Sequence, residues 1–449
     1  MKKKIISNIS KIKLSIIIPI YNSEKYLSKC LKSVCNQHAK DIEVILIDDN
    51  SSDSSTTIVK KYKNKFKFIK AIFFKKNKGV SFCRNTGIKH STGKYLYFID
   101  SDDELISNSL KNVLNEIYKF PEKELFILNY FKKISKNEKI IYDQVKDIRF
   151  KKIGQNSNKN SLISYCKKIP PILTSWQFIF KKKFLIDNKL YYKNIHTSED
   201  WEFIPKTFCL AKNFKIISKP VYIWRISRIN SLGKHTGFLT AVSCIQIIFW
   251  LGKFIIEKKE KLKKKEINIL IKILDLAYTK FWLNTLCLNS SNLFRLSKNL
   301  IKFRYLFKKL SLYKIIKLKY FLLNKIKIKK NIITFVKKKN YLIKNLANKI
   351  GQKDAIIFCA GAYTDIISQM FFNNGVNIKY IIDNNVNYSG QKLNNILILE
   401  PKYLEKNVKK FLNHKILICN KNLQVIRTIN QQLLKIGIPN KNIFNISNI

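Results

Sequence analysis

The first hundred residues alternate between strand-like apolar runs and helix-like amphipathic stretches, with short polar turns between them. The run LSIIIP at 14–19 is continuously apolar, which is typical of a strand that is buried on both faces of a sheet. The same pattern predicts further strands at 42–47, 66–74 and 94–99, separated by helices at 23–36, 53–62 and 79–90. This spacing implies a parallel, doubly wound sheet with right-handed crossovers, whose ligands bind outside the carboxyl ends of the strands.

The rest of the chain differs in pattern, and 449 residues are too many for one compact core. From about 111 to 235 the pattern is irregular, and from about 236 to 350 apolar and Lys residues recur at helical spacing. Strand and helix signals alternate again from Asp354 onward. We therefore expect an N-terminal α/β domain over 1–235, a basic amphipathic helical region over 236–350 and a small α/β domain over 351–449.

The net charge of +57 would ordinarily suggest a polyanionic partner, such as nucleic acid or an anionic membrane surface. Only seven of the 86 basic residues are Arg, and the excess is Lys in a chain that also uses Ile, Asn, Phe and Tyr heavily. These residues have codons rich in A and T, so a skewed genome accounts for most of the charge. Because specific phosphate and base recognition relies on the planar Arg fork, the composition argues against nucleic-acid binding. An apolar content of 46% also excludes a disordered chain.

The cysteines and the apolar segments bear on the location of the protein. The nine cysteines are an odd number, widely spread and without a C-x-x-C pair, so we interpret them as reduced core residues. The run Leu14–Ile20 is too short for a signal peptide and lacks a small-residue cleavage site, so it fits a first strand behind a basic tail. The longest apolar stretch, Phe238–Ile256, carries Gln246 and Lys253 and falls short of a clean membrane span. These features predict a cytoplasmic protein without a transmembrane helix.

Two acidic groups follow strand ends on the same edge of the predicted sheet. One reads Asp-Asp-Asn at 48–50, after the second strand, and the other reads Asp-Ser-Asp-Asp-Glu at 100–104, after the fourth. Acidic residues are common in turns and at helix starts, and we interpret Asp53 as such a capping residue. The four acidic side chains within 100–104 repel one another unless a cation lies among them. The D-x-D spacing of Asp100 and Asp102 therefore predicts a site for Mg²⁺ or Mn²⁺, a cation that would bridge a bound diphosphate.

The segments that carry these features are SIIIPIYNSEKYLSKCLKSVCNQHAKDIEVILIDDNSSDSS and KKNKGVSFCRNTGIKHSTGKYLYFIDSDDEL. They resemble the family-two glycosyltransferases of GT-A fold almost without gaps from Leu14 to Leu105. The resemblance implies a GT-A nucleotide-diphospho-sugar transferase fold for the N-terminal α/β domain. It also implies that the backbone near Pro19 and the side chains of Tyr21 and Asp49 bind the donor's nucleoside, with Asp49 accepting a hydrogen bond from the base.

The same resemblance assigns roles to the second acidic group and to the R-N-x-G element. It implies that Asp100 and Asp102 lie beside the donor's ribose and the metal, with Asp102 as the principal metal ligand. Arg84 and Asn85 match the family's R-N pair. For that pair two roles stay open: direct contact with the donor phosphates, or a structural role that holds its helix in place.

Elements further along the chain resemble the family more loosely. SEDWEF at 198–203 resembles the family's E-D element, which implies that Asp200 is the general base. Glu199 is a less favoured base, and His196, expected one helical turn before Asp200, is interpreted as structural. YIWRISRINSL resembles the family's Y-x-x-R followed by Ser, which implies that Arg225 and Arg228 approach the diphosphate. Three aromatic residues could stack on sugar rings or pack in the core: Trp176, Trp201 and Trp224.

The resemblance implies a metal-dependent glycosyltransferase that works by a single displacement with inversion at the anomeric carbon. We expect a nucleotide-sugar donor, with a UDP-sugar as the first candidate, and a glycan or lipid-linked acceptor in cell-surface polysaccharide synthesis. The Lys-rich faces of 236–350 could hold the protein peripherally on the inner face of the membrane, or could be solvated surface. The alternative function is a noncatalytic protein that binds nucleotide or the membrane surface and keeps the fold.

The C-terminal domain resembles the small Rossmann-like domains, with IIDNN after its second strand at the position that meets a ribose. It departs from the G-x-G-x-x-G turn, because Cys359 and Thr364 stand with Gly361 where the three glycines would be. Side chains at the first and third positions obstruct the tight turn and the close helix packing. Nucleotide binding and a packing or oligomerisation role both stay open for this domain.

Overall fold

The structure is a computed structural model that describes residues 13–37, 39–136, 139–144, 173–225, 237–258, 260–286, 292, 296, 344–351, 354–358, 371–372, 375–384, 389–390, 392–393, 396–418 and 423–445. The described residues form two compact units, one around an N-terminal sheet and one around a C-terminal sheet. Each sheet packs its helices on a hydrophobic cluster of its own. The two units are described separately below.

The first four strands form the parallel half of the N-terminal sheet. They are β1 (Leu14–Ile20), β2 (Ile42–Asp48), β3 (Ile69–Phe73) and β4 (Tyr95–Phe98), in the order β3-β2-β1-β4. The helices that connect them are α1 (Glu24–Cys35), α2 (Ser55–Lys65) and α3 (Val80–His90). All three strand pairs are parallel, which confirms the doubly wound α/β arrangement predicted for this segment.

Two of these elements begin later than the sequence pattern predicts. Helix α2 begins after Asp53, whose carboxylate accepts hydrogen bonds from the backbone N–H groups of Ser55 and of Glu24 in α1, each at 3.0 Å. The N-cap residue of α2 is Ser54, so Asp53 precedes the cap; its carboxylate binds the first N–H of α2 and joins the starts of two helices. Strand β3 begins only at Ile69, because the chain first turns, with the Ile69 N–H bonded to the Phe66 carbonyl at 3.0 Å.

Helix α3 lies in direct contact with β1, and Gly87 makes that contact possible. A β-carbon at Gly87 would lie 2.3 Å from Cγ2 of Ile17, closer than carbon atoms approach in proteins. Ile17 is fully buried in β1. The glycine of the R-N-x-G element thus lets the backbone of α3 approach the sheet closely.

Beyond β4 the N-terminal sheet becomes mixed. Its further strands are β5 (Glu104–Leu105), β6 (Leu125–Lys136), β7 (Lys139–Gln144), β8 (Phe178–Lys181) and β9 (Phe214–Arg225), and the order continues β4-β8-β6-β9-β5, with β7 paired to β6. Strand β8 is antiparallel to β4 and β6, while β9 is parallel to β6. The helices of this part are α4 (Ser109–Lys119), α5 (Lys182–Asp187) and α6 (Asp200–Leu210). The irregular sequence pattern after residue 111 therefore corresponds to strands that join the same sheet in mixed directions.

Two long helices follow, α7 (Phe238–Glu257) and α8 (Lys264–Leu286). They confirm the helical character predicted for the start of region 236–350. After α8, most of this region lies outside the described residues. By length and composition alone, α7 could cross a membrane, although its sequence had not suggested a clean span. Within the protein, 67% of its most apolar window is buried, as also occurs in core helices.

The C-terminal unit contains a small, mostly parallel sheet. Its strands are β10 (Ala355–Phe358), β11 (Ile378–Ile382), β12 (Lys392–Leu393), β13 (Ile396–Leu399), β14 (Lys415–Ile418) and β15 (Ile443–Asn445), in the order β12-β13-β11-β10-β14-β15. Only β12 is antiparallel to its neighbour. Helices α9 (Pro401–Lys406), α10 (Val408–Phe411) and α11 (Leu423–Lys435) accompany them. This confirms a second, small α/β domain, while Cys359, Gly361 and Thr364 lie outside the described residues.

Candidate active site

The strand order brings both acidic groups to one crevice. Strand β1 lies between β2 and β4, so the turn after β2 and the turn after β4 flank the carboxyl end of β1. The order reverses here, since β2 and β4 lie on opposite sides of β1, and such switch points are where open α/β sheets bind ligands. Tyr21 follows β1 at the middle of this crevice and is 51% exposed, while Pro19 is partly buried near the end of β1.

Asp49 forms one wall of the crevice and is held by backbone groups. Its two carboxylate oxygens accept hydrogen bonds from the N–H groups of Lys78 and Gly79, both at 2.7 Å. Gly79 precedes α3 with a φ of 87°, a conformation that favours glycine. Burial raises the pKa of Asp49, while the two backbone hydrogen bonds act against that rise. Asp49 is thus a fixed hydrogen-bond acceptor at the position where the resemblance places the nucleobase of the donor.

The opposite wall is the acid loop, which we define as residues 100–104. Carboxylate oxygens of Asp100, Asp102 and Asp103 all lie within 4.8 Å of one another, a spacing that a metal ion can bridge. Burial, and then the neighbouring charges, raise the pKa of Asp103; the pKa of Asp100 is also raised by burial. Hard carboxylate oxygens suit Mg²⁺ or Mn²⁺, and a cation would relieve their repulsion, so these residues fit a divalent metal.

The Y-x-x-R element at the end of β9 holds the acid loop in place. The Tyr222 hydroxyl accepts from the Asp100 N–H at 3.2 Å and donates to Oδ2 of Asp103 at 2.7 Å. The backbone N–H of Arg225 donates to Oδ1 of Asp103 at 2.8 Å. Both oxygens of Asp103 therefore accept hydrogen bonds from the protein, and these bonds fix the Asp103 carboxylate within the acid loop.

The side chain of Arg225 also contacts the acid loop. Its Nε donates to the Asp102 carbonyl at 3.0 Å, and its Nη2 donates to Oε1 of Glu104 at 2.8 Å. Its guanidinium lies over the ring of Tyr26 at 4.8 Å. The structure thus places Arg225 at the expected site, but with its guanidinium on protein groups of the loop. Arg228 lies outside the described residues.

Arg84 connects the acid loop to the segment that begins α6. Its side chain is 3% exposed, and its Nη2 lies 3.0 Å from Oδ1 of Asp100. Its Nη1 lies 3.3 Å from Oδ1 of Asp200 and forms a short contact with Oε1 of Glu199. One guanidinium therefore bridges the candidate metal site and the candidate base, in the geometry that makes Arg suitable for buried carboxylate pairs. This arrangement supports the structural role of the R-N pair over direct phosphate contact.

Asp200 is the first residue of α6, and its carboxylate is mostly buried, with 15% exposed. Burial raises its pKa to about 7; the charge of Arg84 acts against this rise, and the charge of Glu199 adds to it. A carboxylate with a pKa near neutrality is suited to accept a proton as a general base. Oδ1 of Asp200 also accepts a short hydrogen bond from the Ser175 hydroxyl.

The other residues singled out from the sequence occupy supporting positions. Asn85 ties α3 to Tyr192 through a reciprocal pair of hydrogen bonds at 2.8 and 2.9 Å. His196 is exposed in the loop before α6, so the expectation that it lies one helical turn before Asp200 is wrong, because the helix begins only at Asp200. Trp176 is 2% exposed and stacks on Tyr222, which confirms its place in the core. Trp201 and Trp224 are partly buried.

Sequence reasoning assigned no individual role to four residues that hold the site together: Glu104, Ser175, Tyr192 and Tyr222. Of these, Glu104 was counted only as a member of the acidic group at 100–104. Tyr222 stands in the quoted Y-x-x-R element, so a signal existed, although no role could be read from it. Ser175 and Tyr192 lie in segments with no motif, and only the folded chain brings them to Asp200.

The N-terminal part of the chain is similar to known glycosyltransferases. Residues 15–176 match the model of the family described as glycosyl transferase family 2. Over 244 residues the chain is 30% identical to a cholesterol galactosyltransferase of Borreliella burgdorferi, covering 51% of this chain and 64% of that protein. Over 222 residues it is 30% identical to a poly(ribitol-phosphate) beta-glucosyltransferase of Bacillus spizizenii, covering 48% of this chain and 32% of that protein.

Among solved structures, TarS residues 1–349 of S. aureus in complex with UDP is similar, with a TM-score of 0.51 at 20% identity, covering 73% of this chain and 91% of that one. At this identity the likeness concerns the fold. The matches span from 24% to 64% of the length of these curated relatives, less than two thirds in each case. Residues 15–176 are therefore a family 2 glycosyltransferase domain, and the N-terminal unit has the GT-A fold.

Proposed function

We propose that this protein transfers a sugar, with inversion, from a nucleotide-sugar donor to a hydroxyl of a glycan or lipid-linked acceptor. The observation that carries the proposal is the bridge through Arg84, which sets the acid loop and Asp200 against one crevice. The family 2 domain has relatives in teichoic acid and polysaccharide synthesis, which favours a cell-surface polysaccharide as the product. The similar fold of TarS, solved with UDP, favours a UDP-sugar as the donor.

The proposed reaction is a single displacement. Asp49, Tyr21 and the backbone near Pro19 bind the nucleoside, and Asp200 accepts the proton of the acceptor hydroxyl. The acceptor oxygen forms a bond to the anomeric carbon as the bond from that carbon to the diphosphate oxygen breaks, so the configuration inverts. Asp102 and Asp100 would hold Mg²⁺ or Mn²⁺, which when bound supplies positive charge for the leaving diphosphate. Arg225 and Tyr222 keep the acid loop in position for that task.

We place the protein in the cytoplasm, with peripheral contact to the inner face of the membrane where a lipid-linked acceptor would be found. The support is the exposed lysines before and at the start of α8, Lys261 and Lys263 to Lys265, together with the relatives that act in envelope synthesis. A noncatalytic role for the fold is disfavoured, because the chain retains both Asp102 and Asp200, and Arg84 holds Asp200 against the acid loop.

A donor screen tests the proposed function. The full chain is incubated with a panel of UDP-, GDP- and dTDP-sugars, Mn²⁺ or Mg²⁺ and membrane-derived glycan acceptors, and released nucleoside diphosphate is measured. We expect turnover with at least one UDP-sugar, and loss of it in Asp200→Asn and Asp102→Ala. Turnover that survives in both variants, or binding of a nucleotide sugar that no acceptor converts into transfer, would contradict the proposal.

A further inference from the structure

We infer that Ser175 and Tyr192 form a positioning pair for Asp200, which fixes one carboxylate oxygen and leaves the other to take the acceptor's proton. This inference rests on the proposed function, since it assumes that Asp200 is the base. Neither residue belongs to a motif of the sequence, and neither is expected to touch donor or acceptor. They act through Asp200 alone.

The contacts on Asp200 are one-sided. Within the part of the chain that the structure describes, the Ser175 hydroxyl and Nη1 of Arg84 both contact Oδ1 of Asp200. Ser175 is fully buried, at the 3-10 turn Ser175–Gln177 that precedes β8. A carboxylate held at one oxygen by two donors is fixed in rotation, so Oδ2 is the oxygen that remains to meet an incoming hydroxyl.

Tyr192 fixes Ser175 in turn. The two hydroxyls share a short hydrogen bond, and Tyr192 is 3% exposed. Its ring stacks on Phe203 of α6, with 3.9 Å between the ring centroids. Its backbone N–H and carbonyl both form hydrogen bonds with the side-chain amide of Asn85 in α3. With the Tyr192 proton donated to Ser175, the Ser175 proton is directed at Asp200. The pair thus sets the orientation of one hydroxyl proton toward the base.

A positioning role for Ser175 predicts the direction in which the pKa of Asp200 changes when the hydroxyl is removed, and a purely structural role does not. A donated hydrogen bond favours the ionised carboxylate, so its loss should raise the pKa of Asp200. The other charged and titratable groups around Asp200 are Arg84, Glu199, Asp100 and Tyr192, and Ser175→Ala changes none of these side chains. The shift can therefore be assigned to the missing hydroxyl.

The experiment compares wild type, Ser175→Ala, Ser175→Thr and Tyr192→Phe, with Ser109→Ala as a control that removes a buried hydroxyl bonded to the Val221 carbonyl instead of to Asp200. Carboxyl-¹³C NMR of labelled aspartate follows the titration of Asp200, identified by its absence in Asp200→Asn. We expect its midpoint to rise by about one pH unit in Ser175→Ala, to return in Ser175→Thr and to rise less in Tyr192→Phe. Ser109→Ala should match wild type.

Kinetics with the donor found by the screen give the second measure. At pH 7 we expect kcat of Ser175→Ala to fall about five-fold or more while the donor KM stays unchanged, with part of the loss recovered at pH 9. An unchanged Asp200 midpoint in a folded Ser175→Ala overturns the positioning pair whatever the activity shows. If no donor is turned over, the proposed function fails, and the NMR titration still decides whether Ser175 acts on Asp200.

Discussion

Arg84 and Asp200 form a buried ion pair in which Nη1 and Oδ1 lie 3.3 Å apart, while Nη2 of the same guanidinium lies 3.0 Å from Oδ1 of Asp100. The two sides of the proposed reaction centre, the acid loop and the candidate base Asp200, are therefore separated by the width of one guanidinium. Lys has a single nitrogen in place of this fork and cannot bridge both carboxylates in the same geometry.

Replacing Arg84 should damage both folding and turnover. We expect Arg84→Met to lower the free energy of unfolding by about 3 kcal/mol or more, because it leaves buried carboxylates without their partner. Arg84→Lys should fold better but lower kcat by about 10²-fold, since the carboxylates shift relative to each other. Urea unfolding and steady-state kinetics measure the two effects. Lys183→Met, which breaks an exposed pair with Asp187, is the matched control and should change stability by about 0.5 kcal/mol or less.

Turnover should depend on one ionised carboxylate at the start of α6. Asp200→Asn keeps the size of the side chain but removes its basicity, so we expect kcat to fall by about 10² to 10⁴ while donor and metal affinity hold. Because burial raises the pKa of Asp200 to about 7, wild-type kcat should rise with pH through that value. If Asp200→Asn keeps more than about a tenth of the wild-type kcat, Asp200 is not the general base, and Glu199 and then His196 should be tested for that role.

Activity should require a divalent cation that the acid loop binds. Asp102→Ala should abolish Mn²⁺ binding, measured by the electron paramagnetic resonance of free Mn²⁺, and turnover with it. Tyr222→Phe should weaken Mn²⁺ binding about ten-fold, because it releases Asp103 and the Asp100 N–H. Tyr97→Phe is the matched control, since the described residues offer the buried Tyr97 hydroxyl no hydrogen-bond partner. Full activity in excess EDTA would contradict the prediction.

The ionised side chain of Glu43 should contribute to the free energy of unfolding, and this contribution should be lost in acid. It is buried in β2 and accepts hydrogen bonds from Ser15 at 2.6 Å and from Lys70 at 2.7 Å. Burial raises its pKa, but these hydrogen bonds and those of Thr92 outweigh it and lower the pKa to about 2. The stabilisation is therefore complete above the unfolded pKa, about 4.3, and is lost as pH falls toward 2. Glu43→Gln should cost about 2 kcal/mol at pH 7 and almost nothing near pH 2.

The exposed lysines near the start of α8 should bind anionic membranes. In flotation with vesicles that contain anionic lipid, the protein should be recovered with the vesicles at low salt and released at high salt. Each well-placed Lys should contribute about 1 kcal/mol to the free energy of membrane binding. Changing Lys263, Lys264 and Lys265 to Gln should weaken recovery, whereas the same number of changes at Lys60, Lys61 and Lys63 in α2 serves as the charge-matched control. Equal loss in both variants would point to net charge alone.

The parallel half of the sheet and the position of both acidic groups could be predicted from the sequence, because buried strands of this type are short, continuous apolar runs with polar turns. The mixed half could not. Strands β6, β8 and β9 pair out of chain order, and pairing of that kind leaves no local pattern. The same reason hid Ser175, which lies 25 residues from Asp200, and the partnership of Arg84 with Glu199, which spans 115 residues.

The contacts of Arg225 and Arg84 also could not be predicted from the sequence. A motif gives the position of Arg225 in the chain but not the direction of its guanidinium, which depends on the length of β9 and on Glu104 opposite its end. Arg84 illustrates the opposite case. Its burial among three acidic side chains follows from α3 lying directly on β1, a contact that the glycine of the same element permits.

That contact also limits how the site of this protein can change. A methyl group at Gly87 would displace α3 from Ile17 by about 1 Å, and Arg84, one turn earlier, would carry the displacement to Asp100 and Asp200 together. The separation of the two carboxylates therefore depends on the packing of α3 on β1. Substitutions in the loops around the crevice leave that packing in place, so they can alter binding in the crevice without changing the spacing of Asp100 and Asp200.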